Sequence, residues 1–305
     1  MATTTEIKNR INSVKNTQKI TSAMYLISST KMRKAKAELQ KTRPYFDAIE
    51  HEIRRIFQST SDVDSIYFYP EKGRKPAETY AYLVITADKG LAGSYNYNVI
   101  KKAEAEMSKH KKVKLYVVGD FGRRYFMKHG TEIEQSFLYT AQNPTFTRAR
   151  QICSILMEEY NERRVDEIRI IYSDMENELT STVKMTRLLP FERKSFISND
   201  VDPGEKKVDK EYNFYPSVNV VLDNIMNGYI AGNIYGALVD SFSAEQNARM
   251  NAMSSANNNA EELLADLSIQ YNRVRQAAIT QEITEVAAGA KAQKRKRERE
   301  AAQFE

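Results

Sequence analysis

Residues 217–305 contain no proline, although the chain has seven, the last of them Pro216. At ~1.5 Å per residue, a helix through residues 217–291 would be about 110 Å long. No compact core built from a 305-residue chain can bury a helix of that length, so a partner must run beside it. The other end of the chain offers one.

Steps alternating between four and three residues pick out Ile7, Ile11, Val14, Gln18, Thr21, Tyr25, Ser28, Met32, Ala35, Leu39, Thr42, Phe46, Ile49, Ile53 and Ile56. All but Gln18, Thr21, Ser28 and Thr42 are apolar. The stripe lasts roughly seven heptads and reads as the seam of a left-handed coiled coil. Pro44 predicts a kink or break near Arg43. The carboxy-terminal segment carries a thinner seam through Met250, Met253, Asn257, Ala260, Leu264, Leu267, Tyr271, Val274 and Ala278. The small residues around it let two backbones approach closely. With a domain between the two segments, the simplest pairing is antiparallel and within one chain. A parallel homodimer is the alternative.

Between the helices the hydrophobic period changes from that of helices to that of strands. Strands are predicted at residues 80–86, 114–118, 167–172 and 182–188, with helices at 97–110 and 149–163 and turns at Asp88–Gly93 and Gly119–Gly122. This alternation predicts a small α/β domain with a largely parallel, Rossmann-like sheet. Residues 198–210 read as a loop. The fold class is therefore α/β with long helices, an antiparallel coiled coil of the terminal helices carrying a central α/β domain. Its divisions fall at 1–58, 59–216, 217–290 and a charged extension, 291–305.

Several functions are disfavoured on chemical grounds. Gly90-Leu-Ala-Gly93 and Gly119-Asp-Phe-Gly122 follow strands, but neither has the spacing of a phosphate loop. His51, His110 and His129 stand apart, without metal-ligand spacing. The lone Cys153 sits in a helical apolar pattern and reads as a core residue. No self-sufficient catalytic site, cofactor or metal is expected. No stretch is apolar enough to span a membrane, and the first residues lack a signal core. Much of the net charge of +6 is local, in Lys291, Lys294, Arg295, Lys296, Arg297 and Arg299, interleaved with Glu298, Glu300 and Glu305. No aromatic residue interleaves with that run, and a helix end favours cations, so a solvated tip is expected rather than nucleic-acid binding. In the long helix, Gly228, Gly232 and Gly236 share one face, and close packing against a neighbour is the expected reason.

Ile279-Thr-Gln-Glu-Ile-Thr-Glu-Val-Ala-Ala-Gly-Ala290 resembles the carboxy-terminal signature of the gamma subunits of F-type ATP synthases. Ser243-Ala-Glu-Gln-Asn-Ala-Arg-Met250 and Tyr271-Asn-Arg-Val-Arg-Gln-Ala-Ala278 are similar to the same family's long helix. Ile7-Lys-Asn-Arg-Ile-Asn-Ser-Val14, Thr17-Gln-Lys-Ile-Thr-Ser-Ala-Met24 and Ser29-Thr-Lys-Met-Arg-Lys34 match its opening. Thr86-Ala-Asp-Lys-Gly-Leu-Ala-Gly93 and residues 171–190 are similar in the middle. The likeness covers nearly the whole chain, in order.

The resemblance implies a rotor shaft. It would couple ion flow through a membrane ring to ATP synthesis or hydrolysis on a ring of three alpha and three beta subunits. It would be a non-catalytic coupling subunit of a proton-translocating complex, with the epsilon subunit and the membrane c-ring as further partners. Its place would be the cytoplasmic face of a bacterial cell membrane, peripherally bound. By position, Lys19, Met24, Arg33, Arg249, Arg275, Gln276, Thr280, Glu282 and Glu285 would face alpha and beta, and Tyr212, Phe214 and Tyr215 the ring and epsilon. The family usually ends soon after the stretch matching Gly289 and Ala290, whereas this chain continues with charged residues. A coiled-coil scaffold or nucleic-acid-binding protein, and a Rossmann-like nucleotide enzyme, are the competing functions.

Overall fold

The computed structural model describes residues 3–59, 65–69, 77–138, 140–175, 181–192, 196 and 214–301, with side chains as far as Lys294. The predicted loop at 198–210 and Tyr212 lie outside the described residues. Two helices and a small sheet domain account for the rest. Helix α1 spans Thr4–Ser59 and the last helix, α5, spans Val218–Ala301. Between them lie β1 (Phe68–Tyr69), β2 (Thr79–Ile85), α2 (Tyr95–Met107), β3 (Lys112–Val118), α3 (Asp120–Lys128), β4 (Gln135–Phe137), α4 (Phe146–Asn161), β5 (Glu167–Met175), β6 (Ser181–Leu189) and β7 (Phe191–Glu192). By contact the chain divides into two compact units, Met1–Leu26 with Met253–Glu305, and Ile27–Ala252.

In the first unit, α1 and α5 run antiparallel. Gln18 Nε2 donates to Glu261 Oε1 at 3.3 Å, Thr21 Oγ1 bonds Asn257 Oδ1, and Asn257 Nδ2 donates to Ser22 Oγ at 3.1 Å. Numbers rise along one helix as they fall along the other. These pairs lie within one chain, and so replace the parallel-homodimer alternative. They also explain polar positions in α1's stripe: Gln18 and Thr21 meet polar partners at the same level of α5. Apolar residues stand on either side of these pairs, with Ile7, Met253 and Leu267 buried. A polar pair inside an apolar seam is satisfied in one register only, so it fixes the sliding position of the helices.

The second unit holds a five-stranded sheet ordered β4-β3-β2-β5-β6. Its first four strands are parallel and β6 runs antiparallel to β5. A separate parallel pair joins β1 to β7. Strand β2 is buried on both faces, as central parallel strands are. Ala81, Leu83 and Ile85 belong to a core shared with α4 and with stretches of α1 and α5, including Ile53, Ile56, Met226, Ile230 and Ile234. Tyr82 and Val84 point the other way, into a core with Val99 and Ile100 of α2 and Phe126 of α3.

The structure departs from the sequence reading in three places. Helix α1 passes through Pro44 without a break. One amide donor is lost there, but Leu39, Phe46 and Ile49 pack on the core around it, and that burial outweighs the loss. Gly119–Gly122 is not a simple turn: Gly119 precedes helix α3, which begins at Asp120. Of the three aligned glycines, Gly232 lies under Phe46, whose ring would be 2.5 Å from an added Cβ, and Gly228 lies beside Ile49. Gly236 has nothing within 4 Å of that point. It opens onto a cavity of about 210 Å³, bounded by Phe46, Asp47 and Glu50 of α1, Tyr172 of β5, and Tyr229 and Asp240 of α5.

Asp240 makes that cavity responsive to acid. Burial, reinforced by Asp174, pushes its carboxyl up to about 6 from 3.8, with Lys36 and Lys184 opposing. The folded state therefore favours neutral Asp240, and this contribution is complete below the ordinary carboxyl range and lost as pH rises through 6. At about 1.4 kcal/mol per pH unit, ionised Asp240 costs the fold on the order of 3 kcal/mol. Asp240→Asn should therefore stabilise the protein by about 2–3 kcal/mol at pH 8, with the gain vanishing toward pH 4. Urea unfolding across that range measures it, and an equal gain at every pH would refute the assignment.

Candidate functional site

Open α/β sheets hold ligands beyond the carboxyl ends of their strands. In this chain the loop leaving β2 at that end is covered by α5. Tyr95 Oη and Ser241 Oγ lie 2.7 Å apart in a buried hydrogen bond. Arg249 Nη2 donates to the Gly90 carbonyl at 3.1 Å and to Glu245 Oε1 at 2.6 Å. Ala87, Ala92 and Tyr95 pack with Ala244 of the helix. The result is a joint between the sheet's loop and the helix, in which the Tyr95–Ser241 and Arg249–Glu245 contacts are buried and the Gly90 contact lies at the exposed edge. Burial pushes the Glu245 carboxyl up, while Arg249 pulls it down. Burial also raises the Tyr95 phenol, aided by Glu245, so the phenol stays neutral.

The beginning of α3, beside this loop, is equally committed. The Asp120 amide donates to Asp88 Oδ1 at 2.9 Å. The Asp120 carboxylate pairs with Arg123 and Arg124 at 2.6 and 2.8 Å. A helix N-terminus attracts a phosphate through its free amides and its dipole, and here two carboxylates already stand at that point. Gly122 N donates to Thr86 Oγ1 at 3.0 Å, which closes the backbone further. Loop and helix turns in this corner thus work as a joint, not as a cradle for a nucleotide. Cys153 is no nucleophile: burial pushes its thiol up to about 12, and its Sγ–H points to the Asn227 carbonyl.

A second surface lies in the first unit. The polar pairing of residue 18 with 261 and 21 with 257 brings the start of α1, at Thr4, level with about residue 274 of α5. Beyond that level α5 continues without a neighbour among the described residues. Every residue from 275 to 294 is exposed, including Ile279 at 48%, Ile283 at 64% and Val286 at 73%. Their spacing of four and three puts these side chains on one face. A single helix standing in water is marginal, so this one is built to be enclosed by something else.

The residues singled out from the sequence fall in several environments. Lys19, Arg275, Gln276, Thr280, Glu282 and Glu285 are exposed in the first unit, and Met24 is half-buried there. Thr280 Oγ1 donates back to the Gln276 carbonyl, and Glu285 accepts from Gln281. Arg33 is exposed in the second unit, as is Tyr215 at 93%, while Phe214 is half-buried. Arg249 is different: it is 8% exposed, and its described bonds are to Glu245 and Gly90 of its own chain. The sequence reading did not identify Glu245, Tyr95 or Ser241 as the partners of this joint. A clue was present in Glu245 and Arg249, four residues apart on a helix, the spacing of an ion pair.

The chain is similar to known proteins along nearly all its length. A family model described as "ATP synthase" matches residues 3–293. A relative named "ATP synthase gamma chain" from Ruminiclostridium cellulolyticum is 41% identical over 288 residues, covering 94% of this chain and 97% of the relative. Another of that name, from Caldanaerobacter subterraneus, is 43% identical, covering 93% and 98%. One from Acetobacterium woodii, whose name adds "sodium ion specific", is 35% identical and covers 94% and 97%. Among solved structures, the rotor of the Euglena gracilis mitochondrial ATP synthase matches with a TM-score of 0.60 at 16% identity, covering 90% of this chain and 97% of that one. The central stalk and ring of the Tetrahymena thermophila mitochondrial enzyme gives 0.59 at 23%, covering 78% and 99%.

Proposed function

The chain belongs to the ATP synthase gamma chain family, and on that premise we propose how its two surfaces divide the work of a central-stalk rotor. The lone stretch of α5, with the helix pair behind it, stands inside a ring of three alpha and three beta subunits. The α/β unit stays outside, near the epsilon subunit and the membrane c-ring. Rotation of an asymmetric shaft presents a different face to each beta subunit in turn, and so biases each through successive nucleotide states. The chain itself does no chemistry.

The observation that carries this reading is the exposed apolar face at Ile279, Ile283 and Val286, on a helix that has outrun its partner. A rotating tip needs a surface that a sleeve can enclose without locking it, and an apolar stripe with no directional bonds has that property. Lys19, Met24, Arg275, Gln276, Thr280, Glu282 and Glu285 would meet alpha and beta around it, and Arg33 would meet beta. Phe214 and Tyr215, with Tyr212, would meet the ring and epsilon. Arg249, buried on Glu245 and Gly90, would hold the loop against α5 within the second unit and would not itself meet alpha or beta. No described helix is long and apolar enough to cross a membrane. We place the chain peripherally, on the cytoplasmic face of a bacterial membrane. The driving ion we take to be a proton, with sodium the alternative given the Acetobacterium woodii relative.

Co-expression with the same organism's alpha and beta subunits tests the proposal. The expected product is one complex with three alpha, three beta and one copy of this chain, whose ATP hydrolysis depends on the copy. Alpha and beta subunits indifferent to the chain would refute it. Within the complex, Ile279→Asp with Ile283→Asp should lower hydrolysis by about tenfold or more, since two carboxylates would lie against an apolar sleeve. The isolated double variant should melt with the unchanged chain, because both positions are solvated there.

A further inference from the structure

The apolar face of the lone helix does not end at Val286. Carried on at helical spacing, Ile279, Ile283, Val286 and Ala290 lead to Gln293 and Lys294, one on either flank of the face, and then, by sequence spacing, to Arg297. Helix α5 is continuous through these positions, and Lys294 is exposed. One face of one helix therefore changes from apolar to cationic about 12 Å beyond Val286, at ~1.5 Å per residue. The other cations are placed differently. By sequence spacing, Lys291, Arg295 and Arg299, four apart, fall roughly a quarter to a half turn away from that face. Two of the acidic residues in this run stand four places after a lysine, Glu298 after Lys294 and Glu300 after Lys296. The order Lys-then-Glu is the weaker orientation for such a pair.

Resting on the rotor reading above, we propose that the sleeve enclosing this helix is two-zoned, apolar along Ile279 to Ala290 and lined with Asp or Glu carboxylates where Lys294 and Arg297 arrive. The partner is thus an acidic protein surface continuous with the apolar bearing. Whatever covers the stripe must follow the same face outward, where Gln293 is followed by the cations Lys294 and Arg297. A wholly apolar sleeve would strip water from Lys294 with no compensating charge, at a heavy cost. Carboxylates at that level remove the cost and add electrostatic complementarity, which favours correct seating over wrong partners.

The test compares two charge reversals in the full chain, assembled with the same organism's alpha and beta subunits. Lys294→Glu with Arg297→Glu changes the face in line with the stripe. Lys291→Glu with Arg295→Glu makes the same charge change off that face. The proposal expects the first pair to weaken assembly about tenfold at low salt, with the loss shrinking as salt rises. The second pair should change assembly less than about twofold. Equal effects of the two pairs would overturn the proposal, leaving a solvated tip sensitive only to net charge. Tight binding of a DNA oligonucleotide by the unchanged chain, lost equally with either pair, would overturn it in favour of a nucleic acid. If the unchanged chain formed no complex with alpha and beta, the rotor reading itself would fail, an outcome distinct from the others.

Discussion

Gly119→Ala is expected to destabilise the α/β unit by about 4 kcal/mol or more. Gly119 sits at φ +95°, where an L side chain is strained. A Cβ there would lie 2.3 Å from the Thr86 carbonyl oxygen and 2.8 Å from that of Ala87. Neither carbonyl can yield easily. The Thr86 amide and hydroxyl both donate to the Val118 carbonyl, at 2.9 and 2.8 Å. The Ala87 carbonyl accepts from Phe121 N at 3.0 Å. A clash with fixed backbone adds to the conformational strain. Gly130 separates the two causes: its φ is +72°, yet an added Cβ meets nothing within 4 Å. Gly130→Ala should therefore cost only about 1 kcal/mol. Comparable losses in urea unfolding would show that the steric argument is wrong.

Arg249→Ala should destabilise by roughly 3–5 kcal/mol, the usual cost of leaving one member of a buried ion pair alone. Glu245 would keep its burial but lose the guanidinium at 2.6 Å, and the Gly90 carbonyl would lose a donor. The pH dependence identifies the cause. Removing the cation raises the folded-state value of Glu245 further, so the variant's deficit should shrink as pH falls and Glu245 takes up a proton. Combining Arg249→Met with Glu245→Leu should recover most of the loss, since two apolar groups of similar size leave no charge unpaired. An Arg249→Ala deficit independent of pH, or no recovery in the double variant, would mean that the pair is not what holds the joint.

Much of the architecture was legible because it rests on periodicity. A seven-residue repeat over the first segment and the proline-free run at the other end required a paired rod, whatever lay between. The strands around Leu83, Val117 and Ile170 were legible as short apolar runs with helical patterns between them. Local rules failed where tertiary contacts decide. Pro44 breaks an isolated helix, but packing through Phe46 and Ile49 carries α1 past it. Gly119 read as a turn because glycine punctuates structure, and nothing local says that its positive φ leads straight into a helix. Of the candidate contact residues, those on the lone stretch of α5 are exposed, as residues meant for another subunit would be. Arg249 was grouped with them by its position in the family resemblance, which carries no information on burial. Its burial depends on a loop some 160 residues away in sequence.

The central claim, that the paired helices and their lone extension form a shaft turning inside a ring, is tested most directly by watching single complexes. Lys101 is exposed on the α/β unit, and Lys101→Cys gives a point of attachment, since the native Cys153 is buried and its thiol held neutral. With alpha and beta fixed to a surface and a bead on that cysteine, added ATP should drive rotation in one direction, with three pauses per turn. A bead that only fluctuates, in complexes that still hydrolyse ATP, would contradict the account.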